Sequence, residues 1–352
     1  MDRRYAMVPG DGIGVDVTKE AVKVLEAASD AFGFGLTLQH FPFGAEHYLA
    51  TGETLPEGTL ELWSGFDAVF MGAFGDPRVP DMKHAADILL GTRFRMDLYA
   101  NIRPVRCLNE RLCPLRNYAA SDVDFVVFRE NTEGAYAGMG GIFKKGTADE
   151  IGIQEDVNTR KGVERIMRAA FAFADRTGRK KVTMSDKSNA LRHAHDIWQR
   201  VFAEVAREYP GIQSNHLYVD ALTMQLIKDP RQFEVIVTCN MFGDIVTDLG
   251  AALQGGLGMA ASGNLHPGRT SMFEPVHGSA PKYAGTDTAN PFGAILTAAM
   301  MLEHTGLTEA ALAVERAVVD CLDAKECTPD VGGSLGARAA ADAVVRRIRR
   351  AA

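Results

Sequence analysis

The sequence has few cysteines, no excess of basic residues and no long apolar run, and each absence argues against a class of protein. The five cysteines are an odd number and show no C-x-x-C spacing, so they indicate free thiols in a reducing cytoplasm rather than a disulfide framework or a zinc site. The net charge of −7 and the scattered lysines and arginines argue against nucleic-acid binding. No run approaches the roughly 20 apolar residues of a membrane-spanning helix, and the N-terminus opens directly into a strand pattern without signal-peptide features.

Apolar strand-like runs alternate with amphipathic helical patterns along most of the chain, which predicts an α/β fold. A length of 352 residues favours two domains or two lobes. The glycine-rich segment 134–146 predicts a hairpin or an intersubunit arm. The clearest predicted strands are Ala68–Met71, Phe125–Phe128 and Val182–Met184, and the clearest predicted helices are Val15–Ala28, Val163–Ala174 and Phe292–His304.

The stretch Asn240–Asp248 carries the strongest chemical signal. It follows an apolar run, Phe233–Thr238, that predicts a buried strand, and Gly243 interrupts the strand pattern before a helical one. Asp244 and Asp248 then share one helix face, where like charges four residues apart are unfavourable. A divalent cation with oxygen ligands would relieve this repulsion. An acidic first turn, favoured by the helix dipole, explains the pair equally well.

Polar residues beside other predicted strands suggest partners for this acidic pair. Guanidinium groups bind carboxylates through paired hydrogen bonds, so Arg93, Arg103 and Arg129 suit a di- or tricarboxylate, although structural ion pairs are the alternative for each. Lys187 closes a strand and would act as a general base if its pKa were lowered near a metal. Asp220, after another apolar run, would supply a third carboxylate.

Two glycine-containing loops suggest a nucleotide site. Gly10–Gly14 links a strand to a helix, but its spacing is G-x-G-x-G rather than G-x-G-x-x-G, so the sequence does not predict a Rossmann fold. Glu274–Gly285 places a histidine, small residues and a proline ahead of a helix, which is a plausible backbone cradle for a nucleotide. A structural role for His277 is the alternative.

Together these segments resemble the β-decarboxylating dehydrogenases, the family of isocitrate, 3-isopropylmalate, homoisocitrate, tartrate and D-malate dehydrogenases. The resemblance implies an isopropylmalate-dehydrogenase-like two-domain fold with a mixed sheet. Residues 1–100 and 253–352 would bind the cofactor, and 101–252 would form the dimerisation, metal and substrate domain. It also implies a homodimer or a dimer of dimers with shared active sites. The matching segments, in chain order, are Gly10–Gly14, Asp97–Pro104, Arg129–Gly134, Asp186–Asn189, Asn240–Asp248 and Glu274–Gly285.

The resemblance also implies a role for each site residue. Lys187 of one subunit would complete the active site of its partner and would remove or relay the proton of the substrate hydroxyl. Tyr136 would protonate the enol carbon after CO₂ is lost. The substrate would contact Arg93, Arg103, Arg129, Leu89 and Leu90. Mg²⁺ or Mn²⁺ would be bound by Asp244 and Asp248 of one subunit and by Asp220 of another. NAD or NADP would contact Ile13, Glu274, His277, Gly278, Ser279, Ala280, Lys282, Tyr283 and Asn290.

Branch-specific positions address the substrate. Asp87 and Leu89 stand where isocitrate dehydrogenases have serine and asparagine, so isocitrate is disfavoured. Val79–Asp81 and Gly140–Thr147 resemble the tartrate and D-malate branch, although that branch usually has histidine where Met82 stands. We therefore predict a D-malate or tartrate dehydrogenase, with 3-isopropylmalate as the alternative. A non-catalytic regulatory subunit is disfavoured because such relatives usually lose metal aspartates or the tyrosine.

Two segments give opposite signals about the cofactor. Lys282–Tyr283 resembles NADP-dependent isocitrate dehydrogenases, in which a lysine would contact the 2′-phosphate. Thr328–Gly333 resembles the NAD-dependent members and lacks the additional tyrosine and arginine that bind this phosphate. We therefore expect the enzyme to use both cofactors.

Overall fold

The computed structural model describes residues 2–351, which form two compact units. Unit 1 comprises the described residues of 1–98, 104–123 and 251–352, and unit 2 comprises 99–103 and 124–250. Pro104–Val123 groups with unit 1, whereas the predicted division assigned it to the middle domain. Its side chains bond to C-terminal helices: Arg106 pairs with Glu315 at 2.7 Å, and Arg111 donates to the carbonyl of Leu322. The predicted domain roles remain predictions.

Strands and helices alternate along the chain. The strands are β1 (Asp2–Gly10), β2 (Gly35–His40), β3 (Ala68–Ala73), β4 (Ala100–Arg106), β5 (Asp124–Glu130), β6 (Gly140–Phe143), β7 (Ile151–Gln154), β8 (Lys181–Asp186), β9 (Gln213–Tyr218), β10 (Val235–Thr238), β11 (Ala261–Leu265) and β12 (Ser271–Pro275). The helices are α1 (Ile13–Phe32), α2 (Ala45–Thr51), α3 (Thr59–Trp63), α4 (Lys83–Arg95), α5 (Arg160–Thr177), α6 (Asp196–Ala206), α7 (Val219–Lys228), α8 (Asn240–Leu253), α9 (Phe292–His304), α10 (Thr308–Asp323) and α11 (Ala337–Ala351).

The sheet of unit 1 is mixed. Its strands follow the order β2-β1-β3-β12-β11, in which β1 pairs in parallel with β2 and β3, and β3 pairs in parallel with β12. The last pair, β12 with β11, is antiparallel. In unit 2, β5, β10, β8 and β9 are neighbours in that order and all pair in parallel. These pairings confirm the predicted α/β fold with a mixed sheet.

The core of unit 1 is formed by helices whose apolar faces pack against this sheet. The apolar stripe of α1, including Val17, Val24 and Leu25, is fully buried, as its 3.6-residue period predicts. The predicted helix Phe292–His304 is confirmed as α9, and its apolar residues lie in the same core. No helix within residues 2–351 is long and apolar enough to cross a membrane. All five cysteines are free thiols, as predicted.

In unit 2, parallel pairing brings three strand ends to one edge of the sheet. Thr238 at the end of β10 lies opposite Arg129 of β5 on one side and Ser185 of β8 on the other. The segments that follow these strands carry Asn131, Lys187 and Asn240. The carboxyl edge of a parallel sheet is where α/β proteins commonly build ligand sites.

The prediction that the helix begins after Gly243 was wrong. Helix α8 begins at Asn240, directly after the strand, and Gly243 lies in its first turn. A β-carbon at Gly243 would lie 2.5 Å from Cγ of Arg129, which is closer than real atoms approach. Glycine is therefore explained by the close passage of the arginine side chain rather than by a strand end.

The glycine-rich segment forms the predicted hairpin, which extends further than expected. Strands β6 and β7 pair antiparallel, and Gly140 lies opposite Gln154. The apolar side chains of this hairpin are exposed, and they are Met139, Ile142, Phe143, Ile151 and Ile153.

Candidate active site

Arg129 is fixed at the sheet edge of unit 2 by two residues of α8. Its side chain is buried, and Nε and Nη2 donate to Oδ1 of Asn240 at 3.0 and 2.7 Å. Nη1 donates to Oδ1 of Asp244 at 2.5 Å. Asn240 was not among the predicted site residues. It opens the Asn240–Asp248 stretch, but only the register of α8 against β5 shows that its amide orients the guanidinium.

Arg103 reaches the same carboxylate. Nη2 lies 3.5 Å from Oδ1 of Asp244, while Nη1 donates to Oγ1 of Thr247 at 2.6 Å and Nε donates to Oδ1 of Asn101 at 2.8 Å. Thr247 also donates to the carbonyl of Gly243 at 2.7 Å. Thr247 and Asn101 were not predicted as site residues, and both orient Arg103.

Tyr136 completes this cluster. It lies in a short 3₁₀ turn after β5, and its hydroxyl donates to Oδ2 of Asp244 at 3.1 Å. The guanidinium of Arg129 lies 5.2 Å from the centroid of the tyrosine ring. The structure therefore brings together four predicted site residues: Arg103, Arg129, Tyr136 and Asp244.

Asp248 lies one helical turn beyond Asp244 on α8. Burial, followed by the charge of Asp244, raises the pKa of its carboxyl, and the nearby arginines only partly oppose this. At Asp248, burial and the neighbouring negative charge therefore outweigh the two arginines, which both bond to Asp244. Because carboxylate oxygens are hard donors, the two side chains fit Mg²⁺ or Mn²⁺.

Asp220, predicted as the third metal ligand in the site of another subunit, pairs with Lys187 of its own chain. Their side chains approach to 3.0 Å, and the hydrogen bond from Lys187 lowers the pKa of the Asp220 carboxyl. The backbone N–H of Lys187 donates to Nδ1 of the buried His195 at 3.1 Å. Within residues 2–351, no three His, Cys, Asp or Glu side chains form a metal-binding group. A site completed by Asp220 of a second subunit therefore stays a prediction.

The remaining predicted substrate residues lie in unit 1, on α4. Arg93 is buried, and its Nη2 donates to Oε1 of Glu274 at 2.6 Å. Asn264 donates to the same oxygen at 2.9 Å, so the Glu274 carboxylate is held inside unit 1. Leu89 and Leu90 are half-buried on the same helix.

The two loops predicted to bind the dinucleotide touch each other. The N–H of Ile13 donates to the carbonyl of Ser279 at 2.8 Å. A β-carbon at Gly12, whose φ is +55°, would lie 2.1 Å from that same oxygen. Glycine is therefore required for the close approach of the Gly10–Gly14 turn to the Glu274–Gly285 loop.

His277 provides a test of whether this loop fits a nucleotide. The ring is buried, Nδ1 lies 3.0 Å from the carbonyl of Gly278, and burial lowers the pKa of the imidazole. Nε2 is buried without a hydrogen-bond partner among residues 2–351. Apart from its chain neighbours, no atom of residues 2–351 lies within 4 Å of the β-carbon position of Gly278. A buried nitrogen without a partner, in a loop with open space at the next residue, is compatible with binding of a polar ligand such as a dinucleotide.

Two further predicted cofactor residues differ in their availability. Nζ of Lys282 lies 4.6 Å from the centroid of the exposed Tyr283 ring, so both can reach a ligand. Asn290 is buried, and its Nδ2 donates to Asp330 at 3.0 Å while its Oδ1 accepts the N–H of Phe292 at 3.0 Å. Both ends of its amide are therefore already hydrogen-bonded, one to Asp330 and the other to the first residue of α9.

Comparison with known proteins agrees with the predicted family and with the α/β fold. Residues 4–346 match the model of the family described as isocitrate/isopropylmalate dehydrogenase. The chain is 46% identical over 345 residues to 3-isopropylmalate dehydrogenase of Thermobifida fusca, covering 96% of this chain and 98% of that protein. It is 45% identical over 342 residues to 3-isopropylmalate dehydrogenase of Streptomyces coelicolor, covering 95% and 98%. The crystal structure of isocitrate dehydrogenase from Methylococcus capsulatus superposes with a TM-score of 0.89 at 38% identity, covering 99% of both chains. The chain therefore belongs to the isocitrate/isopropylmalate dehydrogenase family of NAD(P)-dependent decarboxylating dehydrogenases.

Proposed function

We propose that the protein catalyses the oxidative decarboxylation of 3-isopropylmalate. The relatives that are 45% and 46% identical over nearly the whole chain are both named 3-isopropylmalate dehydrogenases. They support the alternative drawn from the sequence better than its first prediction, which was D-malate or tartrate. The observation that carries the proposal is this identity over nearly the whole chain. The half-buried pair Leu89 and Leu90, on the helix of Arg93, resembles both the 3-isopropylmalate and the D-malate enzymes and is compatible with an alkyl substituent.

This apolar pair suits an alkyl substituent. Leu89 packs against an apolar cluster of unit 1 that includes Ile88 and Val69, and this packing holds its side chain in place. Burying the three carbons of an isopropyl group contributes about 2 kcal/mol, at roughly 0.8 kcal/mol per carbon. D-malate and tartrate have no such group and would gain nothing from the leucines.

The unit 2 cluster supplies the polar half of the reaction. Arg103 and Arg129 are pre-oriented by neighbouring polar side chains and would bind substrate carboxylates through paired hydrogen bonds. Lys187 would take the proton of the substrate hydroxyl. The Tyr136 hydroxyl, already hydrogen-bonded at Asp244, would return a proton to the carbon that loses CO₂.

Two bound groups would complete the site. A divalent ion at Asp244 and Asp248, with Asp220 of a second subunit, would supply the Lewis acidity that makes the hydroxyl easier to deprotonate. NAD or NADP at the Glu274–Gly285 loop would accept the hydride. The chain's own contribution is to orient the substrate and to move protons at Lys187 and Tyr136.

A D-malate or tartrate dehydrogenase is the second candidate. It is favoured by Val79–Asp81 and by Gly140–Thr147, which resemble that branch. Neither segment contributes to the Asp244 cluster described above. The two candidates differ in whether the substrate carries an alkyl group at C3, and kinetics can separate them.

The test is kcat/KM for 3-isopropylmalate, D-malate, tartrate and isocitrate with Mn²⁺ and each cofactor. We expect 3-isopropylmalate to be the best substrate, and a higher value for D-malate or tartrate would contradict the proposal. Replacing Leu90 by alanine should reduce the preference for 3-isopropylmalate over D-malate by about tenfold or more, since a lost hydrophobic contact is worth 1–3 kcal/mol. Leu62→Ala, which alters an exposed leucine of α3, is the matched control.

A further inference from the structure

A buried carboxylate in unit 1 joins segments that the proposed reaction uses separately. Asp11 lies between Gly10 and Gly12 in the Gly10–Gly14 turn, and its side chain is almost completely buried. Oδ1 accepts the N–H of Ala45 at 2.6 Å, at the start of α2. Oδ2 accepts the N–H of Gly75 at 2.8 Å, just after β3. One carboxylate therefore holds the turn, α2 and the end of β3 together.

The third partner of Asp11 is His84, in the first turn of α4. Its ring is fully buried, and Nε2 lies 2.8 Å from Oδ2 of Asp11. In the tautomer that carries its proton on Nε2, the imidazole donates to this oxygen. Nδ1 has no hydrogen-bond partner among residues 2–351, and the ring stacks on Tyr48 at 6.0 Å. The imidazole is thus oriented by Asp11 and one aromatic ring.

The position of His84 gives this contact a functional consequence. Helix α4 begins at Lys83, directly after Met82 in a left-handed conformation, and carries Leu89, Leu90 and Arg93 one to three turns further on. On the other side of the contact, Asp11 is two residues from Ile13, which bonds to Ser279. Gly75 also approaches Ser279, since its β-carbon position lies 3.2 Å from the serine Oγ.

We propose that His84, acting through Asp11, is a positioning residue. It couples the Gly10–Gly14 turn, which contacts the proposed cofactor loop, to the face of α4 that carries Leu89, Leu90 and Arg93. The inference rests on the proposed roles of these two elements. Neither side chain enters the proton transfers assigned to Lys187 and Tyr136. If the first turn of α4 moves relative to Asp11, the Gly10–Gly14 turn and the leucine pair both lose a fixed point. Cofactor and acid binding should then weaken together, because both sites lose the same point of attachment.

Two substitutions separate the hydrogen bond from the volume of the ring. His84→Leu keeps an apolar side chain of similar size but removes the donor to Asp11. His84→Gln places an amide N–H near the position of Nε2 and should restore the contact. We expect His84→Leu to raise the Kd for NADH and the KM for the acid by about tenfold each, within the usual range of coupling between sites. His84→Gln should bring both within about threefold of the wild type by the same reasoning.

The experiment combines NADH titration, followed by NADH fluorescence, with steady-state kinetics and thermal unfolding. Lys83→Leu, at the exposed neighbouring residue, is the control and should leave Kd and KM unchanged. A Kd and KM that stay at wild-type values in folded His84→Leu would overturn the proposal. So would a loss that His84→Gln fails to rescue. If His84→Leu does not fold, His84→Asn, which is too short to reach Asp11, takes its place with the same expected result.

The two proposals fail in different ways. The NADH titration contains no acid, so it reports on the loop even if 3-isopropylmalate is not the substrate. Absence of turnover of 3-isopropylmalate by the wild type would contradict the proposed function alone. The KM comparison would then use whichever acid of the panel the wild type turns over.

Discussion

At the residue scale, we propose that Lys282 influences the choice between NAD and NADP. Its ammonium lies over the ring of Tyr283 on the exposed side of the dinucleotide loop. A lysine in this position can contact a phosphate, whereas the NAD-like segment Thr328–Gly333 offers no second cation for it. A single cation would bind the 2′-phosphate only weakly, which is why we expect the enzyme to use both NADP and NAD.

Lys282→Asp should therefore shift the enzyme toward NAD. We expect the NADP/NAD ratio of kcat/KM to fall by about tenfold or more, since a hydrogen bond to a charged group contributes roughly 1.5–3 kcal/mol. Lys325→Asp, at an exposed residue of unit 1, is the control. A ratio that does not change in Lys282→Asp would show that the lysine does not contact the 2′-phosphate.

A second residue-scale prediction concerns Asp186, the buried neighbour of Lys187. Burial raises the pKa of its carboxyl, but hydrogen bonds from His216, the Ser188 backbone and Gln199 outweigh this, and the pKa lies below its ordinary value. Its contribution to stability is then present above the unfolded-state pKa of about 4 and is lost as the pH falls through the folded-state pKa.

Asp186→Asn should cost about 2 kcal/mol of unfolding free energy at pH 7, the usual contribution of a hydrogen bond to a charged group. The difference from the wild type should shrink as the pH is lowered into the acid range. Denaturant unfolding at several pH values measures it, with the exposed Asp30→Asn as a control. A difference that stays constant with pH would contradict the assignment.

At the element scale, the packing of α8 against Arg129 requires a glycine within the helix, at position 243. Gly243 costs helix stability, yet a β-carbon there would meet the buried stem of Arg129. Gly243→Ala should therefore displace Arg129 and raise the KM for the acid by about tenfold, comparable to losing one charge-assisted hydrogen bond. Gly91→Ala in α4 would meet only the flexible end of Arg95 and serves as the control. An unchanged KM in folded Gly243→Ala would show that Arg129 can move aside.

The same element shows how far the sequence predicts the site. Asp244 and Asp248 could be predicted because they lie in a segment with a distinctive order of residues, and Tyr136 because it closely follows another, Arg129–Gly134. The supporting roles of Asn240 and Thr247 were not, because they depend on how α8 is rotated against β5. The start of α8 was missed because Asn240–Gly243 contains no periodic apolar pattern of its own. Helices with long apolar stripes, such as α1 and α9, were predicted well since their periodicity is sustained.

At the scale of the whole molecule, we propose that active sites are shared between two copies of the chain. Within residues 2–351 the Asp244–Asp248 pair has no third acidic ligand. Exposed apolar residues supply a surface for association: Met224 and Ile227 on α7, and Met241 and Ile245 on α8. Lys187, just after β8, and Asp220, in the first turn of α7, form an ion pair that would enter the site of the second copy.

Mixing two inactive variants tests this arrangement. Lys187→Ala and Asp244→Asn should each abolish turnover as homodimers. Denatured and refolded together, they should recover roughly a quarter of wild-type activity, because half of the random dimers carry one intact site out of two. Each variant refolded alone is the control. No recovery, with mixed dimers shown by mass spectrometry, would place a complete site within a single chain.

The discontinuity of unit 1 also affects synthesis of the protein on the ribosome. Strands β1–β3 and helix α1 emerge first, but they pair and pack with β12, α9 and α11, which lie in the last 102 residues. From the end of β3 to the last residue, 279 residues remain to be translated, which takes roughly 14–56 s at about 5–20 residues per second. Unit 2, whose sequence is almost continuous, can complete its parallel sheet in that interval. The apolar face of the nascent N-terminal segment must stay unpaired for that time, which makes it the part of the chain most dependent on chaperones during translation.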